Sequence, residues 1–204
     1  MPRFVQVATP LALALVIAGC NSQNASEATN STVADVGNFT SDAGNTIANA
    51  ADNVKEAVTP TPSAQDFVNT AAKSDAFEIA SAKLAKDNAK SADIKSFAAM
   101  MIADHTASTA KIKKAAGEAD PKIMPDPALT DDQNGKLDKL KGLSGADFDK
   151  EYADQQVDAH QSALSLMRDY ADHGDVASLK TAAGDIAPKV SAHLDKIKAI
   201  KDKL

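Results

Sequence analysis

Eight residues near the C-terminus, Leu179, Ala183, Ile186, Val190, His193, Ile197, Ile200 and Leu204, recur in alternating steps of four and three. Such steps hold one stripe of side chains on one side of an α-helix, and other helices must cover it by lying nearly parallel to it. The same period runs back, less strictly, to Ser63. Phe67, Ala71, Ala82 and Ala85 predict a helix over about 64–89. Ile94, Phe97, Ala98, Met101 and Ile112 predict a second, from a Ser91 cap to about residue 118, where Gly117 weakens it and Pro121, Pro125 and Pro127 stop it. Thr130 caps a short helix to about Lys141. Ser144 or Gly145 opens the third long helix, with Phe148, Tyr152, Ala159, Ala163, Met167 and Tyr170 inward; Gly174 ends it and Asp175 caps the fourth. A kink is expected at Pro188, and Lys196, Lys198, Lys201 and Lys203 complement the helix dipole in the last turns. The expected fold is all-α: one four-helix bundle domain over 64–204, with one short extra helix between the second and third long ones. Aromatic residues are only 4% of the chain and tryptophan is absent, which favours closely packed helices over a sandwich or barrel.

The N-terminus reads differently. Met1-Pro2-Arg3 is a short cationic start, Phe4 to Ile17 is apolar, and Ile17-Ala18-Gly19-Cys20 ends the run on the chain's only cysteine. That layout is an export signal over 1–19. The apolar run holds about 14 residues, with Gln6 and Pro10 inside, against roughly 20 needed to span a bilayer. Ile17-Ala18-Gly19-Cys20 also resembles the lipobox of bacterial lipoproteins. The resemblance implies diacylglycerol on the Cys20 sulfur, cleavage before Cys20 and acylation of the new amino terminus. Asn21 follows the cysteine where aspartate would signal retention at the inner membrane, so the resemblance implies an outer-membrane lipoprotein facing the periplasm. Several acyl chains, at about 0.8 kcal/mol per buried methylene, anchor firmly where one would bind only transiently.

Residues 20–63 are the lipidated cysteine and a tether rich in Asn, Ser, Thr, Ala and Asp that closes with Thr59-Pro60-Thr61-Pro62. It has too few large apolar groups to offset chain entropy and is expected to be mostly disordered, with a root-mean-square span of roughly 35 Å. Within it, Ile47, Ala51, Val54 and Val58 predict at most a weak or transient amphipathic helix over 43–58. Cleavage removes Arg3 and takes the formal net charge from −6 to −7, leaving Arg168 as the sole arginine. An acidic chain of this kind has no electrostatic footprint for nucleic acid. With Cys20 carrying lipid, no intrachain disulfide is available.

Four residues carry the candidate chemistry. His105 lies four after Met101, His160 seven before Met167, His193 takes a full seam position, and Glu78 lies seven after Ala71. Each long helix thus offers one coordinating or proton-binding group toward the bundle axis. His173, beside Gly174, reads as a C-terminal dipole partner. Burying three imidazoles and a carboxylate alone costs several kcal/mol, so they bond to one another, bind something, or are satisfied separately by Tyr152, Tyr170, Gln156 or a water. One divalent transition metal on Glu78, His105, His160 and His193 is chemically reasonable. Glu78 and His105 fall at nearly the same level, but His160 lies about 13 residues before Gly174 and His193 about 18 after it, a mismatch of more than a turn. Two separate polar pairs therefore compete with a single site.

Asp66-Phe67-Val68, Glu78, Leu84-Ala85, Phe97-Ala98 and Met101-Ile102-Ala103-Asp104-His105, followed by Gly145-Ala146-Asp147-Phe148-Asp149, Tyr152, His160, Pro188 and His193, resemble the domain-of-unknown-function family 4142 over roughly 64–200. That family is often described as a predicted outer-membrane protein. The resemblance implies a ferritin-like bundle in the cell envelope with Glu78, His105, His160 and His193 at matching positions, and it supplies no activity. The Glu-x-x-His motif of di-iron proteins is missing: Ile102, Val157 and Val190 stand three before the histidines. Asp104 points about 100° from His105 and reads as a surface or supporting group.

No complete catalytic set is visible, so the expectation is not an enzyme. It is an envelope lipoprotein whose bundle binds a transition metal through buried His and Glu, or a structural lipoprotein that engages an envelope protein partner and keeps architectural histidines. Buried imidazoles also predict a melting temperature that falls below about pH 6.

Overall fold

The computed structural model describes residues 60–204. The signal segment 1–19, Cys20, most of the tether and the 43–58 segment lie outside the described residues. Five helices follow one another: α1 Ala64–Asn88, α2 Ala92–Gly117, α3 Asp131–Lys141, α4 Gly145–His173 and α5 Ala177–Lys201. The four long ones form the expected all-α bundle, with short α3 between the second and third of them.

Local chemistry sets the boundaries. Ser63 Oγ accepts from the Asp66 amide and Ser91 Oγ from the Ile94 amide, each pairing an otherwise orphaned N–H of a first turn. Thr130 and Gln133 form a reciprocal capping box on α3. The expected cap at Asp175 does not form. α5 starts one residue later, behind Val176 with no side-chain cap, because the Asp175 carboxylate instead accepts the Tyr170 hydroxyl at 2.9 Å. Pro188 lies inside a helix that runs unbroken from Ala177 to Lys201.

Tight turns make α1–α2 and α4–α5 antiparallel pairs, while α2 packs on α5 and α1 on α4, closing a ring. The end of α1 meets the start of α4, where Ala89 bridges Gly145 and Asp149 accepts from the Lys90 and Ser91 amides at 3.0 and 2.8 Å. Gly145 turns the chain there with φ +65°, a conformation that favours glycine. Since α2 ends at the opposite pole, residues 118–144 must climb the whole bundle. They do so along α1 and α4, through bonds such as Gln133 to the Lys73 carbonyl and Gln155 to the Lys136 carbonyl. One long crossover in a four-helix bundle is the ferritin-like arrangement.

Large side chains fill the two ends of the bundle. Phe67 stacks on Tyr170 at 3.9 Å between ring centroids at one end, and Phe148 stacks on Tyr152 at 5.8 Å toward the other. Between them lies a buried polar layer made of Asp75, Glu78, Ser81, His105, Gln156, His160 and His193.

Candidate metal centre

Three of the four sequence candidates converge. The rings of His105, His160 and His193 form a nearly equilateral triangle, with centroids 5.7, 5.8 and 5.5 Å apart. One nitrogen from each lies within 4.8 Å of one from each of the others. All three residues are buried, and Phe97 presents its ring to His160 and His193 at 6.0 and 6.5 Å. The expected level mismatch closes because Gly174, Asp175 and Val176 add no helical rise. His160 is 13 residues before the end of α4 at His173, and His193 is 16 after the start of α5 at Ala177. The three-residue remainder is about 4.5 Å along the axis, within reach of side chains of this length.

Each ring is held from behind by an acceptor. His105 Nδ1 lies 2.8 Å from Asp75 Oδ1, His160 Nδ1 is 2.8 Å from the Gln156 carbonyl, and His193 Nε2 is 2.9 Å from Asp104 Oδ2. A carbonyl or a carboxylate can only accept, so the bonded nitrogen of each ring carries the proton. The remaining nitrogens, His105 Nε2, His160 Nε2 and His193 Nδ1, make no hydrogen bond among the described residues. In the neutral rings all three are lone pairs, buried and facing one another. Buried acceptors left in this way cost free energy, and a cation removes the cost. With metal–nitrogen bonds of about 2.0–2.1 Å, each ring needs to move inward by at most about 0.8 Å. Imidazoles oriented by carboxylates or carbonyls are the arrangement metal sites use to fix ring tautomer and basicity. The residues present fit a transition metal.

Glu78 occupies a different place. Its Oε1 lies 3.9 Å from His160 Nδ1, the nitrogen already turned toward Gln156, so the carboxylate stands beside His160 and not among the three converging nitrogens. Around it are Ser81, Tyr152 and Gln156. Gln156 donates to Ser81, while Glu78 Oε2, Gln156 Oε1 and the Tyr152 hydroxyl make no hydrogen bond among the described residues. His173 is exposed and lies 3.1 Å from Asp169, consistent with a helix-end role.

Electrostatics separates the three rings. Burial works against charge on His105, but the bond to Asp75 and the fields of Glu78, Asp75 and Asp104 outweigh it and raise its pKa. Burial, then the neighbouring His105, pushes His160 down to about 3. Burial also lowers His193, with Asp104 opposing and His105 assisting. Burial raises Glu78 to about 7, with His105 and Gln156 pulling the other way. Two neutral rings thus stand ready as donors at neutral pH.

Sequence reasoning missed Asp75 as a partner. It sits three residues before Glu78 on the inward stripe of α1, and it holds both His105 and the Thr109 hydroxyl. Asp104 fits its expected supporting role but acts across helices, on His193 of α5 and on Lys189. That pairing depends on which helices are neighbours, which periodicity alone does not report.

No curated protein matches the chain in sequence. Among solved structures, CopM in the Cu(II)-bound form is similar with a TM-score of 0.60 at 19% identity, covering 70% of this chain and 98% of that one. CopM in the Cu(I)-bound form gives 0.58 at 19% identity, with 70% and 97% covered. At this identity the likeness is one of fold. The profile described as domain of unknown function (DUF4142) matches residues 49–200, well over half of the sequence, and the chain belongs to that family.

Proposed function

We propose that this protein is a metal-binding module of the bacterial envelope, with His105, His160 and His193 as protein ligands to one transition metal. The observation that carries the reading is the meeting of three buried imidazole nitrogens, each with its ring pinned from behind and nothing bonded in front. Imidazole donors suit copper, zinc, iron and nickel. Copper is the first to test, because CopM, similar in fold, has Cu(II)- and Cu(I)-bound forms. Glu78 serves as a buried neighbour of His160 that tunes charge at the site. We read the role as binding and not catalysis.

We further propose that Cys20 is lipidated and holds the bundle on the periplasmic side of the outer membrane. The signal-like run before Cys20 and Asn21 after it support this. Among the described residues no helix is long and apolar enough to cross a membrane.

Elemental analysis of the full chain purified from the cell envelope, paired with thermal melts before and after chelation, tests the metal reading. One metal per chain and a lower melting temperature after chelation are expected. Metal-free protein whose melt ignores added copper or zinc would leave an architectural bundle. For the anchor, labelled fatty acid should enter the wild-type chain and not Cys20→Ser.

A further inference from the structure

A cavity of about 230 Å³ opens beside the triad, lined by all four long helices. His105 and His193 form part of its wall, together with the Asp75 and Asp104 that bond to them, and His160 does not. Phe97 faces His160, and Glu78 stands beside that ring; neither lines the cavity. A metal on three imidazoles keeps an open coordination position. Among the described residues, this cavity adjoins two of the three rings.

We propose that this cavity is a binding site for a small uncharged molecule with an apolar body and one lone-pair end, which completes the coordination of the metal. The inference rests on the metal reading above. Size permits it: a cavity of roughly 150 Å³ lined by apolar groups takes up benzene. The walls select for an apolar body, since Ala71, Ala163, Leu166, Met167, Ile186 and Val190 make up much of the lining. The rim selects against a charged one. Lys111 and Lys189 are the cations there, and each is already paired: Lys111 with Asp185 at 2.7 Å, Lys189 with Asp104 at 2.9 Å. An arriving anion meets cations already neutralised, and an arriving cation meets the same paired carboxylates. The acceptors deeper in the site are engaged as well, Asp75 by His105 and Thr109, and Asp104 by His193 and Lys189. Apart from the Ser74 and Ser108 hydroxyls, the polar attachment left to a ligand is the metal. Buried apolar surface supplies the rest of the affinity, at about 25 cal/mol per Å².

The probes are imidazole and 4-phenylimidazole, which share a donor nitrogen and differ in apolar body. Titrated into the Cu(II)-loaded full chain, both should shift the visible and paramagnetic resonance spectra while copper stays with the protein on ultrafiltration. 4-Phenylimidazole should bind at least about tenfold more tightly. Ala107 lines the mouth and is exposed, so Ala107→Trp covers the opening without disturbing the core. That variant should keep copper and its melting temperature, and lose the preference for the phenyl probe. Copper bound with neither probe shifting its spectrum, or with both binding equally, overturns the cavity proposal and leaves the metal reading standing. An unaltered preference in Ala107→Trp overturns it too. Failure to bind copper or any other of the four metals overturns the metal reading and this inference with it.

Discussion

Two buried layers of the bundle solve the same problem differently. At one end, Phe67 stacks on Tyr170, the tyrosine hydroxyl donates to Asp175, and Gly174 fits beneath the ring, where an added Cβ would stand 2.5 Å from Tyr170 Cε1. The buried tyrosine hydroxyl of that arrangement has its partner inside the chain. In the middle, His105, His160 and His193 each have one nitrogen paired and one left facing the other two. The first layer is complete as folded. The second leaves three buried acceptors that a bound cation would satisfy. The contrast separates residues that hold the bundle together from residues proposed to bind metal.

The sharpest way to break this contrast is to damage each layer with and without metal. Phe67→Ala removes a fully buried ring and should cost about 3–5 kcal/mol, the usual range for a buried aromatic cut to alanine. Denaturant melts should give the same loss in loaded and metal-free protein. Next in size is metal removal. At free metal a hundredfold above its dissociation constant, a native-state ligand adds about 2.7 kcal/mol, so chelation should remove about that much from wild type. In His160→Gln chelation should change almost nothing. Equal sensitivity to chelation in both proteins would show that the metal sits elsewhere.

Legibility differed between the layers for a physical reason. The end layers and the helix boundaries were written locally, in a 3.6-residue period and in the Ser91 and Thr130 caps, because a cap or an apolar stripe acts within a few residues of itself. His193 was visible as a polar residue in an otherwise apolar seam. The alignment of His160 with His193 was obscured by counting the three connecting residues as helix, which exaggerated the offset. The acceptors were harder still. Asp75 and Asp104 have meaning only once α1 is known to face α2 and α2 to face α5, and the Gln156 acceptor is a backbone carbonyl that any residue type would supply. Asp175 was misread because a tyrosine five residues earlier competes for its carboxylate.

Those acceptors allow a finer cut. Asp104→Asn keeps the shape of the partner to His193 but removes its charge and permits the wrong tautomer. Metal affinity should fall by about 10–100-fold, the usual cost of losing such a partner, while metal-free stability changes little. Competition titration against a chelator of known affinity measures it. An unchanged affinity would mean that His193 needs no orienting, or is not a ligand.

The smallest expected effect is the acid response of the metal-free protein, on the order of 1 kcal/mol once its opposing parts are combined. His160, held down to about 3, stays neutral in the fold while the unfolded chain takes up a proton near the ordinary 6.5. Its contribution is intact above pH 6.5 and is lost progressively toward pH 3, and the lowered His193 acts in the same sense. Glu78, raised to about 7, does the reverse: between pH 7 and 4.5 the folded chain gains its proton before the unfolded chain does, so stability rises as pH falls. The raised His105 acts in the same sense, but above pH 6.5, before the unfolded imidazole takes up its proton. Between pH 6.5 and 4.5 the slopes oppose and the metal-free stability should be nearly flat, so the simple expectation of a decline from pH 6 is blunted by Glu78. Below pH 4.5 the Glu78 slope ends and the His160 slope continues. Glu78→Gln deletes one side of the balance. Its urea midpoint should drop steadily from pH 6.5 to 4.5 where wild type holds level, and parallel curves for the two proteins would show that Glu78 is not the group offsetting the imidazoles.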